Sequence, residues 1–252
     1  MPNRVSWLAL GIGAYLAFTI ALFPASTAYR WFAPPELRLA AISGTVWSGG
    51  AALGSIPGLP LRDVRWDLDA WPLVLGRLTG DFEARLADGF VSGRVSASAS
   101  RVRFADLQAS TSLPTLRELL PLNDTRGLVS ISLEELELRD AWPVNALGNL
   151  RLGQLEVAPL LPTAGAGLIP LGNYEVLFLD SDGQGIRAQL QDTGGPLDAS
   201  GMLTLSLDRS YSLEGLVRAR PDAPSELAQG LAIMTGEPDA EGRRPFALTG
   251  SL

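Results

Sequence analysis

Short runs of alternating apolar and polar residues, divided by glycines, dominate the sequence beyond residue 30. In the stretch VRWDLD, residues 64–69, every second residue is apolar. Because side chains on a strand point alternately to its two faces, this period of two predicts a strand with one buried face. The same alternation recurs in five further segments: Phe82 to Leu86, Val95 to Ala99, Val129 to Leu133, Leu203 to Leu207 and Tyr211 to Val217. The fold class is therefore predicted to be mainly β.

Glycines stand one or two residues before these runs. They are Gly44, which opens the stretch GTVWSGGAAL, and Gly80, Gly93, Gly127, Gly201 and Gly215. Glycine accepts the positive φ angles of tight turns and bulges, so we expect each of these glycines to lie in a turn that starts a strand. The repeated restarts predict an antiparallel meander. A phosphate-binding role is not indicated, because neither GxxxxGK[ST] nor GxGxxG occurs.

The apolar phase slips by one residue inside two of the predicted strands. One slip separates Val129, Ile131 and Leu133 from Leu136 and Leu138, and the other separates Leu150 and Leu152 from Leu155 and Val157. An extra residue in one strand, a β-bulge, is the simplest cause. Bulges add twist and bend the strand, so the sequence predicts a long, curved antiparallel sheet, with an apolar groove on its concave side as a hypothesis.

Two short helices are predicted to interrupt the sheet. SLPTLRELLPL, residues 112–122, carries Ser112 as a cap and Pro114 in its first turn, and APSELAQGLAIM, residues 223–234, repeats the design with Pro224. Each leads through an acidic turn and a glycine into another strand, which suggests two similar halves meeting at the Gly- and Pro-rich loop 163–173. We expect residues 31–252 to form one β-rich domain, because composition and strand rhythm are the same on both sides of that loop.

The first thirty residues are predicted to form a cytoplasmic N-terminus and a transmembrane anchor. Residues 5–23 carry no charge, close to the about 20 residues that a membrane-crossing helix needs. Tyr29, Trp31 and Phe32 would form an aromatic belt at the far interface, and Arg4 favours a cytoplasmic start. Two alternatives remain open, a secretion signal cleaved after Ala28 and a buried core helix.

Composition excludes several classes of function. The chain has no histidine and no cysteine, which removes the usual nucleophile pairs, zinc sites, haem ligands and thiol redox centres. The net charge is −7, and all twenty basic residues are arginines scattered among carboxylates, so no nucleic-acid partner is expected. We therefore expect no enzyme activity, and we assign no catalytic, cofactor-binding or metal-binding residue and no cofactor.

Three local patterns have a functional and a structural interpretation. DSDGQG, residues 180–185, begins like a calcium loop but has Gln191 at the twelfth position, so a hairpin turn between two strands is favoured. Carboxylates two residues apart, at Glu135 and Glu137 or at Asp67 and Asp69, with Glu134 beside the first pair, resemble a glycosidase pair but are favoured as polar strand positions. Trp47, Trp66, Trp71 and Trp142 are expected to fill the core, whereas an exposed cluster of them would mark a binding patch.

Four stretches carry a resemblance to a known family. They are GTVWSGGAAL, VRWDLDAWPLVLGRLTGDFEARL, GGPLDASGMLTLSLDRSYSLEGLVRAR and LAQGLAIMTGEPDAEGRRPFALTGSL. They resemble type II secretion system protein N, the N component of the general secretion pathway, over nearly the whole chain. The resemblance implies a single-pass protein of the cell inner membrane in a Gram-negative bacterium, with a cytoplasmic N-terminus and a periplasmic C-terminal domain. Implied partners are other secretion-system subunits, in the inner-membrane platform and the outer-membrane secretin, and no site residue is carried over.

The leading interpretation is an accessory or scaffold component of that machinery, which acts through protein contacts. The alternative is a lipid-binding or lipid-transfer module, because an anchored, bent sheet with an apolar concave face also resembles periplasmic proteins of the AsmA-like type. In that case the partner would be a lipid held in a groove of the sheet.

Overall fold

The computed structural model describes residues 4–73, 76–117, 124–158, 167–179, 183 and 185–251. Two helices come first, α1 at Arg4–Ala21 and α2 at Ala25–Phe32. The strands then follow in chain order: β1 Arg38–Gly44, β2 Ser48–Ile56, β3 Leu59–Asp69, β4 Leu78–Arg85, β5 Phe90–Ala97, β6 Arg101–Ser112, β7 Arg126–Arg139, β8 Trp142–Val157, β9 Ile169–Leu179, β10 Gly185–Gly194, β11 Leu197–Ser206, β12 Ser210–Ala219 and β13 Arg244–Ser251. Helix α3, Ala70–Leu73, lies between β3 and β4, a 3₁₀ turn covers Leu113–Leu116, and helix α4, Ser225–Met234, precedes β13.

The described strands form one antiparallel sheet in which spatial order equals chain order, from β1 to β13. Each strand pairs with the one before it and the one after it, which is the predicted meander. The prediction of a mainly β chain with a long antiparallel sheet is therefore confirmed. How the chain divides into domains, and whether its halves are related, stays a prediction.

Both predicted bulges are present. Between β7 and β8 the register shifts at Leu133 and Glu135, and between β8 and β9 it shifts at Leu152 and Leu155. Further shifts lie at Arg62/Arg65 on β3 and opposite Ser92/Arg94 on β5. Positive φ angles mark the extra residues at three of these places, Asp63, Asp106 and Gln154. Each bulge adds twist, so their spread from β3 to β8 bends the sheet along much of its width.

The two faces of the sheet differ in polarity because the alternation keeps its phase across paired strands. Directly paired residues share a face, and one face carries the buried core. Its main cluster lies where α4 packs on the sheet, and comprises Tyr174, Leu197, Ala199, Val217 and Leu227. A smaller cluster at the first strands comprises Leu61, Ala84 and Leu86.

The sheet curls at one end of the later strands. The Trp142 indole Nε1, at the start of β8, donates a hydrogen bond of 2.9 Å to the backbone carbonyl of Ser206, at the end of β11. Two strands separate β8 from β11, and in a flat sheet three strand spacings amount to about 14 Å. An indole side chain cannot span that distance, so the sheet must bend to bring these ends together.

The helices correspond only in part to the prediction. Helix α4 packs Leu227 and Leu231 against the sheet as expected. The segment 112–122 is a single 3₁₀ turn over its described part, and residues 118–123 lie outside the described residues. Helices α2 and α3 were not predicted. The prediction for Trp71 as a core residue is wrong, because its side chain stands 79% exposed on α3.

The predicted turn role of the glycines is wrong for four of them. Gly80, Gly93, Gly201 and Gly215 lie inside strands, and none has a positive φ. What they provide is space: Gly201 pairs with Gly215, and a Cβ at Gly215 would stand 2.2 Å from the Ser200 carbonyl oxygen and 2.8 Å from the Phe246 ring. Gly44, with φ 85°, does end β1 at a turn, and Gly127, with φ 146°, stands second in β7.

Candidate interaction surfaces

The more polar face of the sheet carries an exposed apolar patch. One register row crosses it through Gln108, Ser132, Asn149, Leu177, Gln189, Met202 and Glu214. In this row Leu177 is 44% and Met202 41% exposed, and Leu147, on the same face of β8, is 36% exposed. Elsewhere on this face the described side chains are largely charged or hydroxylic, with Leu128 on β7, 50% exposed, as an apolar exception. We call Leu147, Leu177 and Met202 the β8–β11 patch.

The opposite, apolar face is only partly covered. Another register row runs from Phe178 on β9 through Ala188, Leu203 and Leu213 to Leu248 on β13. Ala188 is buried, whereas Leu248 at the last strand is 55% exposed. Helix α4 covers the far end of these strands, where Leu197 and Val217 lie. The row therefore leads from the interior to an open apolar edge, which we call the β9–β13 stripe.

A buried carboxylate on the polar face is neutralised by three arginines. Glu137 on β7 is 6% exposed, and its carboxylate lies 2.9 Å from Arg103 Nη2, 3.2 Å from Arg101 Nε and 3.3 Å from Arg139 Nη2. The hydrogen bond from Arg103 is the main cause that lowers the pKa of Glu137, and Arg139 and the charge of Arg101 act in the same direction. A general acid needs the opposite shift. This arrangement stabilises the sheet and is unsuited to protonating a substrate.

An open cleft of about 660 Å³ lies over β2 to β6. Arg94 donates two hydrogen bonds to Asp81 inside it, of 2.9 and 2.7 Å, and Arg65 donates one of 2.8 Å to Glu83. Each of these four charges has an opposite partner, and the exposed carboxylates of Asp67 and Asp106 also line the cleft.

Helix α1 is attached to the first hairpin of the sheet. The Trp47 indole Nε1 donates to the Ile20 carbonyl across 2.7 Å, and the Val46 N–H donates to the Phe23 carbonyl across 3.0 Å. Carbonyl groups at a helix end have no partner inside the helix. The hairpin therefore supplies donors at the end of α1 and fixes it to the sheet.

Comparison with known proteins decides the family. Residues 35–247, from before β1 into β13, match the family described as Type II secretion system (T2SS), protein N. The chain belongs to the type II secretion system protein N family. Relatives with that name occur in Aeromonas hydrophila, 27% identical over 100% of both chains, and in Vibrio cholerae serotype O1, 25% identical over 100% of both chains. A third, from Klebsiella pneumoniae, is 23% identical over 99% of this chain and 97% of the relative. No solved structure matches.

The predicted anchor of this protein N family member stays a prediction. Helix α1 covers most of residues 5–23, and its described side chains include the exposed Ile12, Tyr15 and Phe18. Within the part of the chain that the structure describes, no helix has the combined length and hydropathy that a membrane crossing needs.

The calcium-like loop and the carboxylate pairs considered in the sequence do not form a functional site among the described residues. Asp180, Asp182 and Gln184 lie outside the described residues, but the strands on either side, β9 and β10, pair antiparallel as a hairpin requires. Glu135 accepts a hydrogen bond from Asn145 and forms an ion pair with Arg103, while Asp67 and Asp69 stand exposed on β3. Among the described residues, no cluster of three or more acidic side chains is arranged to hold a metal ion.

Two features of this family member were missed by sequence reasoning. The β8–β11 patch consists of single apolar residues at positions that the alternation makes polar, and residues 177 and 202 are aligned only by the strand register. Trp47 was treated as a core residue, but it is half-buried and caps α1. In the sequence, the capping role of Trp47 could have been inferred from its position in a turn between two strands that follow an apolar helix.

Proposed function

We propose that this chain is an accessory or scaffold component of the type II secretion machinery that acts through protein contacts in the periplasm. Residues 1–30 provide a cytoplasmic start and an inner-membrane anchor, and residues 31–252 form one periplasmic β domain. The family match over residues 35–247, with relatives that align over the full length, is the observation that carries the proposal.

The anchor is supported by the character of α1. Its eighteen residues extend about 27 Å, close to the thickness of the hydrocarbon layer. Described apolar side chains along it stand in solvent, among them Tyr15 at 72% and Phe18 at 68% exposed. Surrounding these side chains with lipid would remove their apolar area from water.

The contact surface is best supported at the β8–β11 patch. Exposed leucine and methionine side chains on a polar face are typical of protein-binding surfaces. Unlike the apolar face, this face is not bounded by α4, and the backbone beneath the patch is held by strands on both sides. A partner surface that matches the bend can therefore approach it without rearranging the sheet.

In-cell photo-crosslinking tests this proposal. A photoreactive amino acid replaces Leu177 in the full chain, and a matched variant carries it at the exposed Gln108, three strands away in the same register row. An amine-reactive reagent is unsuitable, because the chain has no lysine. We expect position 177 to capture another secretion-system subunit and position 108 to capture little. The proposal would be contradicted if neither position captured a secretion-system subunit and if cells that lack the chain secreted normally.

A lipid-binding module of the AsmA-like type is the second candidate function, and the β9–β13 stripe supports it. The stripe combines half-buried leucines with an exposed Leu248, an arrangement that fits an acyl chain along the sheet. Native mass spectrometry of the purified full chain separates the two functions. Co-purified phospholipid that is lost in a Leu213→Asp variant, with no crosslinked subunit, favours the lipid module.

A further inference from the structure

The end of the sheet where α1 is attached carries exposed aromatic residues on two separate elements. Trp31 and Phe32, at the end of α2, are 69% and 77% exposed, and Trp71 on α3 is 79% exposed. Tryptophan exposed to this extent is unusual in a folded domain, because its large ring gains much from burial. Helix α2 follows α1 directly, and α3 follows β3, which is bonded to the hairpin that caps α1.

Helix α2 is folded back beside the end of α1. The rings of Phe23 and Trp31 are 5.8 Å apart, and Pro24 forms an isolated bridge with Thr45. The Tyr29 hydroxyl donates to the Leu37 carbonyl across 3.0 Å and accepts from the Leu39 N–H across 2.9 Å. These contacts hold α2 against β1, so Trp31 stays at the level at which α1 ends.

Helix α3 directly follows β3, the strand that is bonded to the same hairpin. The Leu68 N–H, near the end of β3, donates to the carbonyl of Trp47, the residue whose indole caps α1. Trp71 follows Leu68 by three residues, which limits their separation to about 10 Å. Leu73, 40% exposed, and the exposed Arg77 lie on the same connection.

We propose that α3 is a second membrane contact, in which Trp71 and Leu73 enter the lipid headgroup layer beside the exit point of α1. This rests on the anchoring of α1 given under the proposed function. Tryptophan prefers the membrane interface, where its ring lies among the upper chains and its N–H stays hydrated, and arginines such as Arg30 and Arg77 attract anionic headgroups.

The position of Trp71 relative to the end of α1 favours a lipid surface over a protein partner. If α1 crosses the bilayer, its last carbonyls lie near the outer surface, and hydrogen bonds hold the Trp47 hairpin there. Trp71 is connected to that hairpin through a single backbone hydrogen bond and three residues. Two contacts, at α2 and α3, in addition to α1 fix the angle at which the sheet stands on the membrane.

Spin-label accessibility in the full chain tests this inference. The chain has no cysteine, so Leu73→Cys gives one labelling site and leaves Trp71 in place. The protein is reconstituted in vesicles of phosphatidylethanolamine and phosphatidylglycerol. The collision rate of the spin label with oxygen, which concentrates in lipid, is then compared with its collision rate with a water-soluble nickel chelate. Ile56→Cys is the matched control, because residue 56 is 44% exposed at the opposite end of β2. Tyr15→Cys reports on the anchor.

We expect the labels at positions 73 and 15 to be accessible to oxygen and protected from nickel, and the label at position 56 to be accessible to nickel. Adding Trp71→Glu should abolish the protection at position 73 and leave position 15 unchanged. Nickel accessibility at position 73 with protection at position 15 would overturn this inference and leave the anchor intact. Nickel accessibility at position 15 would refute the anchor itself.

Discussion

The Trp142 indole nitrogen lies 2.9 Å from the Ser206 carbonyl oxygen, although two strands separate the residues in the sheet. Arg209 reaches the Asp140 carbonyl across 3.5 Å between the adjoining turns. Together these bonds connect the β7–β8 turn to the β11–β12 turn and hold the bend between them. Side-chain hydrogen bonds at the strand ends therefore stabilise the bend in addition to the bulges.

Trp142→Phe removes the N–H donor and keeps an aromatic ring in place. The Ser206 carbonyl then loses a partner, so we expect the free energy of unfolding to fall by about 1 kcal/mol. Urea unfolding of the detergent-solubilised full chain measures the change. Trp71→Phe, at an exposed indole, is the control and should leave stability nearly unchanged. Equal stability of both variants would show that the bond does not hold the bend.

Gly215→Ala should destabilise the sheet strongly, by about 2–3 kcal/mol, because overpacking forces the backbone to shift. The added methyl group would meet the Ser200 carbonyl oxygen at 2.2 Å, which is backbone and cannot move aside. Gly153→Ala on β8 is the matched control, since its nearest neighbours would stand 3.9 Å away. Thermal unfolding of the two variants compares them, and a similar loss in both would refute the role of space at Gly215.

Glu137→Gln should lower the free energy of unfolding by about 2 kcal/mol, because three arginines lose the charge that compensates them. The partly exposed arginines are screened by water, which keeps the loss below that of a fully buried pair. Since the folded pKa of Glu137 is lowered below its ordinary 4.5, the stabilisation is present above that pH and is lost as the pH falls through the folded value.

Urea unfolding at pH 7 and at pH 3 measures the pH dependence of the Glu137→Gln effect. Glu83→Gln removes an exposed ion pair with Arg65, in which the side chains are 54% and 72% exposed, and should cost no more than about 0.5 kcal/mol. If Glu137→Gln lowered the free energy of unfolding more at pH 3 than at pH 7, the stabilising role of the ionised Glu137 carboxylate would be contradicted.

Asp88→Ala should loosen the connection after β6. Asp88 accepts from the hydroxyls of Thr111 and Thr115 and from the Ser112 N–H, and the bonds from Ser112 and Thr111 lower the pKa of Asp88 from 3.8 to about 2. Thr111 is buried, so its hydroxyl loses its acceptor at a cost of about 1 kcal/mol. Because the folded pKa is lowered to about 2, the loss of stability in the variant is full above about pH 4 and disappears as the pH falls through about 2. Urea unfolding between pH 7 and pH 1.5 checks this, and a loss that stays constant over that whole range would argue against the carboxylate.

The sequence predicted the features that depend on local periodicity. Strands were visible as alternation, and the bulges near residues 134 and 154 were visible because an extra residue shifts the apolar phase. The role of Gly215 was not visible, because it depends on Gly201 and Phe246, which are distant in the chain and meet only through the register. The same holds for Trp142 and Ser206, and for the row that aligns Leu177 with Met202.

Helix α2 and the exposure of Trp71 were missed for another reason. A tryptophan followed by proline is compatible with a buried strand end or with an exposed helical turn, and hydrophobicity favours the buried alternative. Only the structure, in which Trp71 stands exposed on α3, distinguishes them. Sequence reasoning therefore predicted the sheet more successfully than the surfaces through which the chain acts.

The most direct test of the account is secretion by cells in which the chromosomal copy is replaced with a Leu177→Lys, Met202→Lys variant. Gln108→Lys serves as the matched control, because it adds a charge to the same face outside the patch. If the chain works through contacts at the β8–β11 patch, the double variant should accumulate and fold normally yet lose most secretion, while the control secretes like the native chain. Normal secretion by the double variant, or equal loss in both, would contradict the account.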